Sequence, residues 1–356
     1  MAIGATLYDT STLLGVIRDR DMMEPPSNYW LSMFGSEVQF EDEFVDFGRI
    51  QENRKIAPLV VPTAQGVPIY SAAEQVNRVK PAYVKPKDPV TATRVIRRVA
   101  GYGELAPDSQ SMSPQMRYMA IVADILRQHR RAIERRWEWL ASEAIQGGAV
   151  TLEGERYPKT VVDFQRDAGH TVTLTPTNYW GDSGVSIISL LEDWKKAMRR
   201  SKHGGVPNRI TVGTDVWDIM RADTELRELL NADYKSQANG MNLNLGVMEG
   251  LDVEYVGKIS GTMEVYVYSD YYELADGTVT EFMSPQDIVL TSPAMNGVRC
   301  FGAIQDIDAQ FQPLSMFPKM WNEQDPSVTF VMTQSAPLMV PMSPNATLKA
   351  TVVAAP

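Results

Sequence analysis

Cys300-Phe301-Gly302-Ala303-Ile304-Gln305-Asp306-Ile307-Asp308-Ala309-Gln310 is followed by Phe317-Pro318-Lys319-Met320-Trp321. Next comes Asp325-Pro326-Ser327-Val328-Thr329-Phe330-Val331-Met332-Thr333-Gln334-Ser335-Ala336-Pro337-Leu338-Met339-Val340. Residue character alternates along this stretch, as extended chain requires when successive side chains point to opposite faces. The pattern predicts Ile304, Asp306, Asp308 and Gln310 on one strand face, with Gln305, Ile307 and Ala309 on the other. A second strand is expected over Val328 to Met332, with Val328, Phe330 and Met332 opposed to Thr329 and Val331, and Pro337 ending it. Asp306-Ile307-Asp308 has D-x-D spacing, but no further ligand stands near it in sequence, so no metal site is assigned.

Working back along the chain, residues 113 to 147 have helical periodicity. Met116, Met119, Ala123, Leu126, Ile133, Trp137, Leu140 and Ala144 recur every three or four positions. Ser113 suits the N-cap, Pro114 the first helical position and Gly147-Gly148 the C-terminus. Such a helix is about 50 Å long at ~1.5 Å per residue, well beyond the usual roughly twelve-residue length. Its other face carries Arg117, Arg127, Arg130, Arg131, Arg135 and Arg136, with Asp124, Glu134 and Glu138 at pairing distance. Two readings stand. Arg127, Arg130, Arg131 and Arg135 form an inner basic surface toward a polyanion, or the face is solvated and laced with ion pairs.

Residues 46 to 98 show no helical period. Prolines 58, 62, 68, 81, 86 and 89 punctuate short runs rich in Val76, Val79, Val84, Val90, Thr91, Val95 and Ile96. This predicts an extended ribbon that is marginal alone and needs a surface to pack on. Residues 1 to 45 read as an arm, whose Tyr29, Trp30, Leu31, Met33 and Phe34 also require a partner surface. Arg78, Lys80, Lys85, Lys87, Arg94, Arg97 and Arg98 face Asp88 alone in that span, while Glu37, Glu41, Asp42, Glu43 and Asp46 form an acidic stretch before it. Opposite patches on one chain suit head-to-tail contacts between copies.

Between 150 and 298 strands and helices alternate. β-Structure is expected from Val150 to Leu174 with a turn at Gly154-Glu155, then a helix from Asp182 or Ser183 to Lys202. A strand follows at Arg209 to Gly213, then helices capped by Thr214 or Asp215 and by Asp223 or Thr224. Strands at Leu251 to Val256 and Met263 to Tyr268 precede a hairpin about Asp276-Gly277.

The 356 residues, 44% hydrophobic, are enough for two or three domains. A net charge of −10 disfavours tight nucleic-acid binding by the molecule as a whole. The single cysteine, Cys300, excludes intramolecular disulfides, fits a reducing cytoplasm and reads as a small core residue. No apolar run approaches a membrane span, and Met1-Ala2-Ile3-Gly4 does not open a signal peptide. Phosphate-loop, dinucleotide and G-x-S-x-G patterns are absent, and His129, His170 and His203 lie far apart. Neither a catalytic set nor a cofactor is expected.

Gly302-x-Ile304-Gln305-Asp306-x-Asp308-Ala309-Gln310, then Pro318-Lys319-x-Trp321, Asp325-Pro326 and Gln334-Ser335-Ala336-Pro337-Leu338-Met339 resembles the C-terminal region of the lambda-type major capsid proteins of tailed bacteriophages. Tyr83-Val84-Lys85-Pro86-Lys87 looks like that family's extended-loop motif. The resemblance implies an α+β, HK97-like phage capsid fold. Its parts would be an N-terminal arm (1–45), an extended β-ribbon loop (46–98) and a P-domain (99–181) with a spine helix (113–147). A mixed α/β A-domain (182–298) and a return of the chain to the P-domain (299–356) complete it.

It further implies hexamers and pentamers in an icosahedral shell around double-stranded DNA, and a precursor shell that expands. The chain would be a non-enzymatic virion protein, assembled in the host bacterial cytoplasm. Its expected partners are further copies of itself, a separate scaffold protein, a portal and a small decoration (cement) protein, with weak non-specific DNA contact and no membrane. Tyr83, Lys85, Lys87, Arg94, Arg97, Arg98, Glu41 and Glu43 are the expected inter-subunit residues. No covalent crosslink through Lys80, Lys85 or Lys87 is expected. The competing classes are an encapsulin-like nanocompartment shell and a soluble α/β enzyme.

Overall fold

In a computed structural model, residues 13, 28–49, 75–96, 113–154, 157–226, 253–259, 262–274, 276–325 and 327–354 are described. The strands are β1 (Ser36–Gln39), β2 (Val45–Arg49), β3 (Gln75–Val79), β4 (Lys87–Thr91), β5 (Ala149–Gly154), β6 (Tyr157–Asp163), β7 (Thr171–Thr173), β8 (Arg209–Val212), β9 (Val253–Ile259), β10 (Met263–Tyr268), β11 (Tyr271–Glu273), β12 (Val279–Glu281), β13 (Asp287–Thr291), β14 (Gly297–Phe301), β15 (Phe317–Glu323), β16 (Val328–Gln334), β17 (Pro337–Pro341) and β18 (Thr347–Thr351). The helices are α1 (Ala92–Ile96), α2 (Pro114–Gly147), α3 (Ile187–Arg200) and α4 (Thr214–Ala222).

The 34-residue α2 organises one half of the molecule. Ser113 Oγ accepts the Met116 N–H, and Gly148 closes the helix at φ 66°. At that end the Arg166 guanidinium donates to the carbonyls of Ile145 (2.9 Å) and Gln146 (2.7 Å), placing positive charge where the helix dipole is negative. Ile125, Leu126, Ile133, Leu140 and Ala144 are buried as the periodicity requires, but Met116 and Met119 are not. The first turns of the helix project beyond the core.

Two three-stranded sheets pack with α2, in the orders β1-β14-β17 and β15-β16-β4. β1 from the arm runs parallel to β14, so the start and end of the chain share one sheet. Thr329, Val331 and Thr333 of β16 are buried, while Val328, Phe330 and Met332 are only half-buried. Tyr118 Oη of α2 donates to Thr329 Oγ1 (3.2 Å), which marks the buried face as the one toward the helix. β2 and β3 form the two-stranded ribbon.

The other half is a six-stranded mixed sheet, β7-β18-β13-β8-β10-β9. Its central strands β8 and β13 are almost wholly buried, as strands covered on both faces must be. Ile210, Val212, Ile288, Leu290 and Leu348 pack with Leu191, Trp194 and Met198 of α3 and with Val216 and Met220 of α4. α3 begins later than expected because Ser186, not Asp182 or Ser183, supplies the cap, accepting the Ser189 N–H. α4 starts at Thr214 with Gly213 as its cap residue.

Two further sequence readings are corrected in this fold. Residues 304–310 are not a strand. The Asp306 carboxylate accepts the Asp308 N–H (3.0 Å), the backbone turns through 307–311, and Gln310 and Phe311 take positive φ (53° and 57°). A short side chain that bonds its own backbone outcompetes the extended ladder here. The stretch 299–356 does not return wholly to the first half either. β18 enters the six-stranded sheet between β7 and β13, antiparallel to β13 and parallel to β7.

Candidate assembly surface

The arm is held by charged groups buried beneath it. Glu138, fully buried on α2, accepts the N–H groups of Trp30 (2.7 Å) and Leu31 (2.9 Å). Arg299 on β14 donates from the other end, to the carbonyls of Leu31 (3.1 Å) and Phe34 (2.7 Å). Together they hold both ends of the short helical turn Leu31–Met33, whose Leu31 carbonyl also accepts the Phe34 N–H (3.0 Å). Tyr29 Oη lies 2.6 Å from Thr211 Oγ1 of β8, so the same turn also touches the six-stranded sheet. Burial pushes the Glu138 carboxyl up to about 7, against the opposing pull of those two N–H groups.

Sequence reading placed Glu138 on the solvent face as an ion-pair partner, and the structure corrects this. The available signal was its spacing from Ala141 and Ile145, both buried, which puts residue 138 inside the apolar stripe.

The loop residues sit on the C-terminal segment of their own chain. Tyr83 Oη donates to the Ala303 carbonyl (2.5 Å) and accepts the Gln305 N–H (3.2 Å). Val84 bridges Ser335, and the Lys87 ammonium lies over the rings of Phe330 (3.7 Å) and Trp321 (4.9 Å). Lys85 stands over Tyr83 (4.7 Å). The two blocks that carry the family resemblance therefore touch each other. Glu43 pairs with Lys80 and Asp46 with Arg78 within the ribbon, while Glu41 and Arg94 are exposed. Arg97 and Arg98 lie outside the described residues.

The basic face of α2 is largely engaged within the chain. Arg127 lies 3.8 Å from Asp124, Arg130 2.8 Å from Glu134 and Arg135 2.8 Å from Asp270. Arg131 is exposed. His129 of the same helix is buried, 2.9 Å from Asp88 and 3.2 Å from Thr333. Burial lowers its pKa, and Asp88 opposes that.

Asp306 and Asp308 converge on Lys319 Nζ, at 3.0 Å and 2.6 Å, so an ammonium holds the position a metal would take. Burial raises the Asp306 pKa, but Lys319, the Asp308 N–H and Gln334 outweigh it and hold the group ionised. Among the described residues no group of three or more metal-ligating side chains occurs, and no helix is long and apolar enough to cross a membrane. A recess lined by Trp217, Met220, Leu226, Val256, Gly257, Ile259 and Val265 carries no titratable side chain.

The chain resembles known proteins in sequence and in fold. The chain is 28% identical over 344 residues to a P21 prophage-derived major head protein of Escherichia coli O6:H1, covering 95% of this chain and 97% of that one. It is 28% identical over 347 residues to the major capsid protein of Escherichia phage lambda, covering 96% and 97%. A crystal structure of a prophage protein of E. coli CFT073, assigned as a capsid protein, superposes with a TM-score of 0.73 at 23% identity, over 98% of this chain and 100% of the other. That likeness gives the HK97-like α+β fold. The family model described as phage major capsid protein E matches residues 9–352, and the chain belongs to that family.

Proposed function

We propose that the chain is the major capsid protein of a tailed phage, a structural rather than an enzymatic protein that builds the head shell from many copies. The observation that carries this is the family match across 9–352 together with head and capsid proteins as relatives over 97% of their length.

In this reading the copies form hexamers and pentamers of an icosahedral head enclosing double-stranded DNA, and the precursor shell expands on maturation. Further partners are a separate scaffold, a portal and a decoration protein, with assembly in the host bacterial cytoplasm. The division into arm 1–45, loop 46–98, P-domain 99–181 and A-domain 182–298 belongs to the same proposal, with β14 to β17 returning to the P-domain while β18 joins the six-stranded sheet. Lys85, Lys87, Glu41 and Arg94 are exposed and available to a neighbouring copy. Tyr83 and Glu43 act by fixing the ribbon on its own chain. Of Arg127, Arg130, Arg131 and Arg135, Arg131 is the exposed one and would meet DNA weakly.

The test is negative-stain microscopy of the full chain co-expressed with its scaffold. Icosahedral particles or tubes support the reading, and small discrete oligomers alone would sink it. Particles that hold protein cargo and lack nucleic acid when recovered from infected cells would favour a nanocompartment.

A further inference from the structure

The β11–β12 hairpin is a two-stranded sheet of its own, rooted on α2 at both ends. Arg135 on α2 donates to Asp270 Oδ2 (2.8 Å) and to the Tyr271 carbonyl (2.8 Å) at one root. Ser142 Oγ (2.8 Å) and Gln146 Nε2 (2.6 Å), also on α2, donate to the Phe282 carbonyl at the other. The register pairs Tyr271 with Glu281, Tyr272 with Thr280 and Glu273 with Val279. Tyr272 turns inward against Phe282, with ring centroids 4.9 Å apart. Alternation then puts Tyr271, Glu273, Val279 and Glu281 together on the outward face.

That face is apolar and acidic at once. Tyr271 is 53% and Val279 60% exposed, and Glu273 and Glu281 lie beside them. Among the described residues neither carboxylate has a cationic side chain within ion-pair distance. Burial and the neighbouring Asp215 raise the Glu281 pKa, which marks a place short of positive charge. A two-stranded ribbon with such a face needs a covering surface. Two hairpin faces cannot cover each other, because their carboxylates would be juxtaposed. The occupant must bring positive charge and apolar surface.

The same chain carries such a surface elsewhere. Met116 (54% exposed) and Met119 (45%) project from the first turns of α2. Tyr118 bonds Thr329, which pairs with Val90, so these turns lie over the end of β4, from which α1 and the exposed Arg94 continue. The hairpin roots at Arg135, about 28 Å farther along the helix at ~1.5 Å per residue, so one chain cannot bring the two faces together. The acidic stretch before the ribbon is a poorer match, because Glu43 and Asp46 are already paired with Lys80 and Arg78.

We propose that the outward face of the β11–β12 hairpin receives the Arg94–Met116–Met119 face of a second copy of this chain. The contact is heterologous, and head-to-tail contacts of that kind close rings when the rotation between copies closes. It rests on the shell reading above and specifies one interface within it.

The test is a charge swap in the full chain co-expressed with its scaffold, with particles counted by electron microscopy and sedimentation. Glu273→Lys with Glu281→Lys, or Arg94→Glu alone, should lower the assembled fraction about tenfold, as like charges brought together in an interface do. Combining all three should restore assembly. All three positions are exposed, so circular dichroism of each variant should match the parent. A second arm uses Val279→Cys with Met119→Cys, read against the buried Cys300 as background. Oxidised particles should then give ladders of disulfide-linked chains that neither single variant gives. Charge-reversed variants that assemble like the parent, or an absence of ladders in well-formed particles, would overturn this interface and leave the shell reading standing. A parent chain that forms no particles would remove the shell reading and this inference with it.

Discussion

Glu138 on the long helix and Trp30 in the arm are joined by a 2.7 Å hydrogen bond from backbone N–H to buried carboxylate, across 108 residues of chain. The same carboxylate also takes the Leu31 N–H at 2.9 Å. Glu138→Ala leaves two buried donors unpaired and should cost about 2–4 kcal/mol of stability, measured by urea unfolding of the dissociated chain.

The pH response of that site has a definite sign. The folded-state pKa of Glu138, about 7, lies above its ordinary value of 4.5. The stability it contributes is therefore full below pH 4.5 and is lost as pH rises through about 7. Glu138→Gln keeps an acceptor without the charge. Its unfolding midpoint should gain on the parent between pH 5 and pH 8, and parallel curves would contradict the assignment.

His129 works in the opposite direction. Burial holds its pKa below the ordinary value of 6.5, so its contribution is present above that pH and lost as the pH falls. Asp88 opposes the shift, and Asp88→Asn should steepen the loss of stability below pH 6. Asp88 lies on β4, so increased proteolysis near residue 88 should accompany it.

Tyr83→Phe removes one hydroxyl and two hydrogen bonds, to Ala303 and from Gln305. The expected loss is about 1–2 kcal/mol, with faster protease cleavage of the 75–96 segment and unchanged far-ultraviolet circular dichroism.

Gly148→Ala should destabilise the chain by about 1–2 kcal/mol. Residue 148 closes the long helix at φ 66°, and an added Cβ would come within 2.7 Å of the Arg166 side chain that caps the same end. Thermal unfolding of the variant is the check.

Local rules made much of this fold legible. Ser113, Pro114 and Gly148 bound the long helix where capping chemistry puts them, and Asp276-Gly277 turns the hairpin with Gly277 at φ 83°. Where a side chain found a distant partner, the local pattern misled. Asp306 preferred Lys319 and its own backbone to an extended ladder, and Glu138 left the solvent face for the arm. Met116 and Met119 obey the helical period and yet stay exposed, because no part of the described chain reaches over the first turns. The contacts of Tyr83 with Ala303 and Gln305, more than 200 residues away, could not be read from spacing. The resemblance in the two blocks still placed both in one family.

The turn at residues 30–34 has a consequence for the order in which this molecule is completed. Its partners are Glu138, Arg299 and, through Tyr29, Thr211, and β1 immediately after it waits for β14. All are synthesised later, and Arg299 lies 268 residues downstream of Leu31. Contacts of such separation close late, after the loop entropy between them has been met. A segment made before its partners is thus among the last to dock. A chain cut short before residue 299 has no Arg299 and no complete β14 for it, so the seating of the arm reports that the chain has been made at least through β14.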